Sequence, residues 1–481
     1  MKSLCGASKD DKFVEFWKRE IGLSVSRTFS RRIAASEGVV KQLDLYGKLK
    51  GHQGCVNTIS FNSLGDTLVS GSDDKQVILW DWATKTSKLS YPSGHFDNIF
   101  QAKFMPFTDD RNIITSSADG QVRLGQVLEN GDVDTKRLAK HGGRVHSLAV
   151  EPGSPYIFYS CGEDGFVQHY DLRSNSVKKL FRCSPLVGNN KQSSNDSIRL
   201  NAIVIDPRNP NFFAVGGSDE FARVYDIRKC QSHAKTTNPL NAFCPRHLIQ
   251  TNDFHVTALA YSNTSELLVS YNDELIYLFQ KNMGLGPDPP LSAAREDKSS
   301  IEEPMVYSGH RNLRTIKGVN FFGPNDEYVI SGSDCGHIFM WKKKGGELVR
   351  LMKGDKDIVN QLESHPHISL LATSGLEKSI KLWAPSSKDI TPLPCNFQEI
   401  MDANKQGREG PSLVTLTPDM ILHILHLSRM QAMPFLEEHY ERGEAAESEE
   451  EGGGGDDAID FGYSEDDDSE EGGNSIECDV G

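Results

Sequence analysis

An all-β fold, a single closed ring of seven small antiparallel sheets, is what this sequence predicts, and three observations carry the prediction. Short runs with two-residue apolar alternation recur through residues 45–385, separated by turn residues. One stretch, from Gly51-His52 to Trp80-Asp81, is a complete unit, and partial copies return at roughly 40 to 60 residues. The chain has 42 glycines in 481 residues and a hydrophobic content of 37%, as many short strands and tight turns require. A sheet of this kind is apolar on both faces and cannot bury them alone. A ring of blades, the β-propeller, gives each sheet a neighbour on both sides.

In the complete unit Val56, Ile59 and Phe61 alternate along a first strand, Gly65 supplies a turn, and Leu68-Val69-Ser70-Gly71 is a second strand. Asp74 marks a tight turn before Val77-Ile78-Leu79-Trp80. His52, Ser70, Asp74 and Trp80 have the donors and acceptors to bond in series and pin loops to strands. A His-Ser-Asp set also reads as a hydrolase triad. Catalysis needs one copy, whereas this set recurs in part, so the structural reading is preferred. The unit resembles the WD40 repeat.

The second copy opens at Gly94-His95 and turns at Asp119-Gly120, but has Gly125-Gln126 where Trp-Asp would stand. The third opens at His141 and ends Tyr170-Asp171-Leu172-Arg173; the fourth begins near Leu200 and ends Tyr225-Asp226-Ile227-Arg228. The fifth runs from His255 to Phe279 and is followed by a polar insertion, 281–304, expected to be an exposed, mobile loop. The sixth opens at Gly309-His310 and ends at Trp341, with Asp334 seven residues before the Trp instead of six. The seventh runs from Ile358 to Trp383.

Residues 1–44 form a basic, helical extension. Phe13, Phe16, Trp17 and Ile21 make a helical stripe, packed on the propeller or offered to a partner groove, and Val40, Leu43, Leu45 and Leu49 suggest a strand that completes the last blade. Beyond the propeller, the segment 386–440 contains an amphipathic helix over Asp419–Met433. Residues 441–481 hold 17 Asp and Glu against Arg442 alone, a charge of −16; the whole chain is −15, so the remainder is +1. Such a tail cannot build a core and is expected to be disordered, with Ser448 and Ser464 as candidates for acidophilic kinases.

No apolar run of membrane-spanning length and no leader pattern is present, so a soluble, intracellular protein is expected, and nine scattered cysteines without a C-x-x-C pair are expected to be reduced. No phosphate-binding glycine loop or nucleophile elbow occurs, no cofactor is implied, and the near-neutral propeller argues against a general grip on nucleic acid. His365 and His367 share a strand face but lack a third metal ligand. What recurs is the aromatic-Asp-aliphatic-Arg ending. Arg173 and Arg228 follow equivalent strands of adjacent blades, so they should emerge on one rim, where guanidinium forks suit carboxylates and interface hot spots.

That ending resembles the box of WD40 substrate receptors of cullin-4–RING ubiquitin ligases. Wider stretches, among them Gly51-His52-Gln53-Gly54-Cys55-Val56-Asn57-Thr58, Phe100-Gln101-Ala102-Lys103-Phe104, Ser331-Gly332-Ser333-Asp334-Cys335-Gly336-His337-Ile338 and His365-Pro366-His367, are similar to the DNA damage-binding protein 1- and cullin-4-associated factor 8 family, across roughly residues 13–435. The resemblance implies a non-catalytic receptor that docks on the adaptor DNA damage-binding protein 1 through Tyr170, Asp171, Arg173, Tyr225, Asp226 and Arg228, with Phe13, Phe16 and Trp17 as a further contact, and that presents a target for ubiquitination. It favours both nucleus and cytoplasm. Tyr in the Trp place loses the indole N–H, and no 34-residue helical repeat is visible, unlike the longer relatives with tetratricopeptide repeats. The alternative is a WD40 scaffold or histone-binding propeller outside any ligase.

Overall fold

The computed structural model describes residues 11–23, 26–186, 197–230, 238–249, 251, 253–287, 289 and 302–409. Within them the chain forms seven four-stranded antiparallel sheets, six of them in sequential strand order from the axis outward. Six are continuous: residues 56–92, 99–140, 147–182, 200–243, 256–307 and 319–353. The seventh joins 359–385 to the N-terminal strand Leu43–Lys50, which pairs antiparallel with Ser379–Pro385. Leu43 and Leu49 on that strand are fully buried, whereas Val40 belongs to a preceding helical turn rather than to the strand. Each blade's apolar residues meet those of the next. Phe181, Phe213 and Tyr225, for example, pack across blades 3 and 4 with ring centroids 4.4–6.1 Å apart.

Strand direction fixes what each rim carries. Turns between first and second strands, and between third and fourth, lie on one rim, here the paired-turn rim. Second-to-third turns and the links from blade to blade lie on the other, the linker rim. Five first strands share a bulge at the linker end, at Asn57, Phe100, Asn201, Thr257 and Asn360, and it turns these side chains to the axis.

On the linker rim the template set closes as a chain. His52 Nδ1 meets Asp74 at 2.9 Å, His52 Nε2 meets Ser70 Oγ at 2.7 Å, and Trp80 Nε1 donates to Ser70 Oγ at 2.8 Å. Asp74 also accepts from the Gln53 and Gln76 amides, so three segments are tied to one carboxylate. Blade 3 repeats the chain through His141, Asp164 and Ser160, with Tyr170 Oη 3.1 Å from Ser160 Oγ. In blade 2, His95 joins Asp119 to Thr115, and the space above Gly125 is taken by Tyr91, whose Oη would lie 2.6 Å from a Cβ there. The degenerate blade is therefore filled from the fourth strand of blade 1.

Blade 6 departs from this scheme. The expected His310 pairing is not made: both ring nitrogens are buried and without a hydrogen-bond partner, and burial together with Arg408 and Lys317 pushes its pKa down to about 3. The shifted Asp334 is instead bound to buried Lys317 and accepts from the Leu313 and Arg314 amides. Blade 7 uses Lys381 with Asp355 and Glu377, and blade 4 uses Arg223 with Asp219. Three blades thus carry a buried ion pair, and in blade 6 it accompanies a histidine that still packs edge-on to Trp341 at 5.8 Å.

Helices α1 (Asp11–Glu20) and α2 (Ser26–Ala34) pack on each other, with Phe16 edge-on to buried Phe29 at 5.2 Å. A short turn, α3 (Glu37–Val40), leads into the closing strand. Tyr328 Oη donates to Ala35 O and Ser369 Oγ to Ala34 O, and both donors lie where a second strand begins, so these helices sit on the paired-turn rim over blades 6 and 7. After Pro385 the chain reaches α4 (Phe397–Glu409), a helix that precedes the one expected over 419–433. Asn404 donates to Gly309 O at 2.8 Å and Arg408 to His310 O at 2.8 Å, which fixes α4 on the linker rim of blade 6. The expected helix over 419–433, the acidic tail with Ser448 and Ser464, and most of the 281–304 insertion lie outside the described residues. Among the described cysteines, Cys161, Cys183, Cys230, Cys244, Cys335 and Cys395 are free.

Ser70→Ala should leave His52 Nε2 and Trp80 Nε1 buried without their common partner, at a cost of about 2–4 kcal/mol in urea unfolding; a loss below about 0.5 kcal/mol would show that the chain contributes little. Acid should act through the three carboxylates. Burial alone would raise the Asp119 carboxyl, but hydrogen bonds from His95, Phe96 and Gln121 outweigh it and hold the pKa at about 2, and Asp74 and Asp164 are lowered in the same way. A folded pKa below the unfolded value gives stability that is present above pH 4 and lost as pH falls towards 2, about 2 kcal/mol for Asp119. Asp119→Asn should flatten the melting-temperature profile over that window.

Candidate protein-interaction surface

Arg173 and Arg228 stand on the paired-turn rim, in the third-to-fourth turns of blades 3 and 4. Both are held in one geometry. Arg173 Nε and Nη2 each lie 3.1 Å from the Asp171 carboxylate, and its backbone N–H donates to the same group at 3.0 Å. Arg228 repeats this on Asp226 at 3.0, 2.8 and 3.0 Å. The Arg173 and Arg228 forks hold the Asp171 and Asp226 carboxyls below the usual carboxylate range. The aspartates thus act as positioning groups, while the arginine side chains remain 57% and 63% exposed. A guanidinium already fixed in a fork loses little further freedom when a partner binds.

The tyrosines of the same motif do something else. Tyr170 and Tyr225, expected among the adaptor contacts, are both at most 2% exposed and face the core instead of the rim. Tyr170 stacks on Phe158 at 4.3 Å and its hydroxyl contacts Ser160, so the phenol supplies the polar end that the missing indole would have. Tyr225 packs on Phe181 and lies 3.7 Å from Cys183 Sγ. They hold the strand that presents each arginine.

Four residues that sequence reasoning passed over extend the surface. Ile368, Leu64, Phe107 and Tyr156 are exposed in the first-to-second turns of blades 7, 1, 2 and 3, in consecutive positions round the rim. Phe107 is 75% exposed at a φ of 56°, a left-handed conformation that a bulky residue adopts at a cost of about 1–2 kcal/mol. Arg173 lies over the Tyr156 ring at 5.4 Å, which joins the apolar arc to the arginines. At its other end stand α1 and α2, with Phe16, Trp17, Ile21 and Leu23 all exposed. Phe13 lies in α1, but its side chain is outside the described set. The missed signal was a large apolar residue at a turn tip, where Asn, Asp, Ser and Gly usually stand.

Catalytic geometry is not assembled from the tetrads, because Ser70 and Ser160 are fully buried with their histidines and present no hydroxyl to solvent. Among the described residues no three His, Cys, Asp or Glu side chains gather as a metal site. His365 Nε2 and His367 Nε2 instead bond the Gly65 and Ser63 carbonyls at 2.7 and 2.9 Å, latching blade 7 to blade 1. A cavity of about 620 Å³ follows the axis, lined by Asn57, Asn201, Asn320, Asn360 and Lys103 among others. Within it burial pushes Glu363 up to about 7, opposed by nearby Lys103.

Comparison with known proteins agrees with the architecture. The family model described as WD domain, G-beta repeat matches residues 43–81, 133–171, 302–342 and 346–384. The β-propeller domain of Myceliophteria thermophila Cps50 (Swd1) superposes with a TM-score of 0.54 at 22% identity, covering 70% of this chain and 99% of that one. The fold is that of a WD40 propeller. Among sequence relatives, the DDB1- and CUL4-associated factor 6 of Mus musculus is 32% identical over 60% of this chain, and the match spans 33% of that longer protein. Protein ALTERED SEED GERMINATION 2 of Arabidopsis thaliana is 32% identical over 54% of this chain and 38% of its own length. The Homo sapiens WD and tetratricopeptide repeats protein 1 is 23% identical over 78% of this chain and 90% of its own. The likeness therefore extends to a protein named for helical repeats, although the described helices here are α1 to α4 and build no such array. One of these relatives bears a DDB1- and CUL4-associated name, that of factor 6 rather than of factor 8.

Tyr170→Phe should lower stability by about 1–2 kcal/mol through the lost hydroxyl while leaving rim contacts intact. A partner-binding defect in a variant that melts like the parent would return Tyr170 to the interface.

Proposed function

We propose that this chain is a non-catalytic substrate receptor of a cullin-4–RING ubiquitin ligase, which docks the adaptor DNA damage-binding protein 1 with its paired-turn rim. The observation that carries the reading is the duplicated fork: two arginines on adjacent blades, each bound in the same way by an aspartate two residues earlier, on the rim that also bears the helical pair and the apolar arc. An aromatic-and-arginine surface of this composition is what a protein interface uses for its hot spots. The names of the 32%-identical relatives support the partner. The adaptor would lie across Arg173 and Arg228 with Phe16 and Trp17 as a second anchor, leaving the linker rim for a target. The receptor's contribution is proximity: it raises the local concentration of target lysines near a charged ubiquitin carrier without forming or breaking bonds itself. Action in both nucleus and cytoplasm belongs to the same proposal.

Arg173→Ala with Arg228→Ala should weaken adaptor binding at least about a hundredfold, close to 3 kcal/mol, with an unchanged melting temperature. Wild-type affinity in the double variant would remove these residues from the interface. Failure of the unmodified chain to capture adaptor or cullin-4 would replace the ligase reading with a scaffold or histone-binding propeller.

A further inference from the structure

The axial cavity of about 620 Å³ holds charge that the fold leaves uncompensated. Strand register puts Glu363 of blade 7, Ser60 of blade 1 and Lys103 of blade 2 at one level of its wall, each three residues past the bulged Asn360, Asn57 and Phe100. Ala149, Val204 and Ala260 of blades 3, 4 and 5 hold the same level on the other side. The wall is therefore charged on one side and apolar on the other. Asp73 and His146, which also line the cavity, already have partners at the linker mouth. Asp73 accepts from Asn57 Nδ2 at 2.7 Å, and His146 Nε2 meets Glu163 at 3.1 Å.

Lys103 and Glu363 are half-buried, and among the described residues neither has an ion-pair partner. Lys103 Nζ donates to Leu148 O at 2.8 Å, while Glu363 accepts from Asn320 Nδ2 at 3.2 Å and from the Phe61 amide. Each charge thus rests on neutral groups while its opposite stands two blades away. Burial pushes the Lys103 ammonium down and the Glu363 carboxyl up to about 7, and the attraction between them opposes both shifts only in part. Charges held in this way cost stability, because each is desolvated without full compensation. Elsewhere the chain closes such pairs directly, as Lys317 with Asp334 and Lys381 with Asp355. The pair at the axis is left open, and departures of this kind gather at binding sites.

We propose that the axial channel binds a free aliphatic amino acid, with its carboxylate on Lys103, its ammonium on Glu363 and its side chain against Ala149, Val204 and Ala260. One zwitterion supplies both missing charges, whereas a ligand with a single charge satisfies one group and leaves the other desolvated. The apolar side of the wall gives an aliphatic chain a dry surface. The cavity lies within the size range of small-molecule pockets, roughly 300–1,000 Å³. Because the bound molecule reaches blades 7 and 2 at once, it binds the folded ring and not the unfolded chain, so melting temperature reports it. The site uses neither Arg173 nor Arg228 and does not depend on the ligase reading.

The test is equilibrium dialysis and thermal unfolding of the full chain with L-leucine, L-isoleucine and L-valine. The comparison ligands are isocaproate, which lacks the ammonium of leucine, and isoamylamine, which lacks its carboxylate. At about 10 mM the best of the three amino acids should raise the melting temperature by at least about 2 °C. Each single-charge analogue should bind at least about tenfold more weakly than leucine. Lys103→Met should remove the preference over isoamylamine, and Glu363→Gln the preference over isocaproate, without lowering the melting temperature of the ligand-free chain. Val204→Phe, which fills the apolar side and leaves both charges, should abolish binding, and it decides the matter if a charge variant fails to fold. No binding of any of the three amino acids, equal binding of the analogues, or binding unchanged by these substitutions would overturn the proposal. None of these outcomes alters the adaptor test.

Discussion

The structure depends on one antiparallel pairing, between Leu43–Lys50 and Ser379–Pro385. No blade can bury both faces unless it has two neighbours, so the ring has to close, and covalent connectivity alone leaves its first and last sheets unjoined. Seven paired positions, Leu43 to Lys50 against Pro385 to Ser379, make the joint. It is reinforced on the paired-turn rim by His365 and His367 reaching the blade 1 turn. Every other feature, from the axial cavity to the spacing of Arg173 and Arg228, presupposes that closure.

Much of this was legible in the sequence because it is periodic. The alternation at Val56, Ile59 and Phe61, the Gly-His openings and the Trp endings repeat often enough for one copy to explain another. The closing strand could be read from Leu43, Leu45 and Leu49 for the same reason. What escaped was single-copy. Nothing periodic marks Phe107 or Tyr156 as exposed, since an apolar residue at a turn tip looks the same in sequence as one that folds inward. The burial of Tyr170 and Tyr225 escaped for a related reason: a motif gives the order of its residues, not the direction in which each points, and here the Tyr lies inside a strand while the Arg falls past its end, in a turn.

The exchange of histidine for ion pairs links the core to the surface. Blades 1, 2 and 3 keep imidazoles between a turn aspartate and a strand hydroxyl. Blades 4, 6 and 7 place Arg223, Lys317 and Lys381 on buried or half-buried carboxylates. A buried pair of this kind is costly to break, because either partner left alone is a desolvated charge. It also changes the outer electrostatics, since a carboxylate satisfied from within no longer balances cations outside.

The helices α1 and α2 run, through α3, directly into the closing strand. Any protein that grips those helices therefore binds a segment whose position exists only in the closed ring, and by mass action its binding free energy is added to the stability of closure. Occupancy and integrity become one thermodynamic quantity. A chain whose N-terminal strand has frayed presents neither a finished seventh blade nor an ordered second anchor. A partner that needs both will select intact rings from a mixed population without a separate step of inspection.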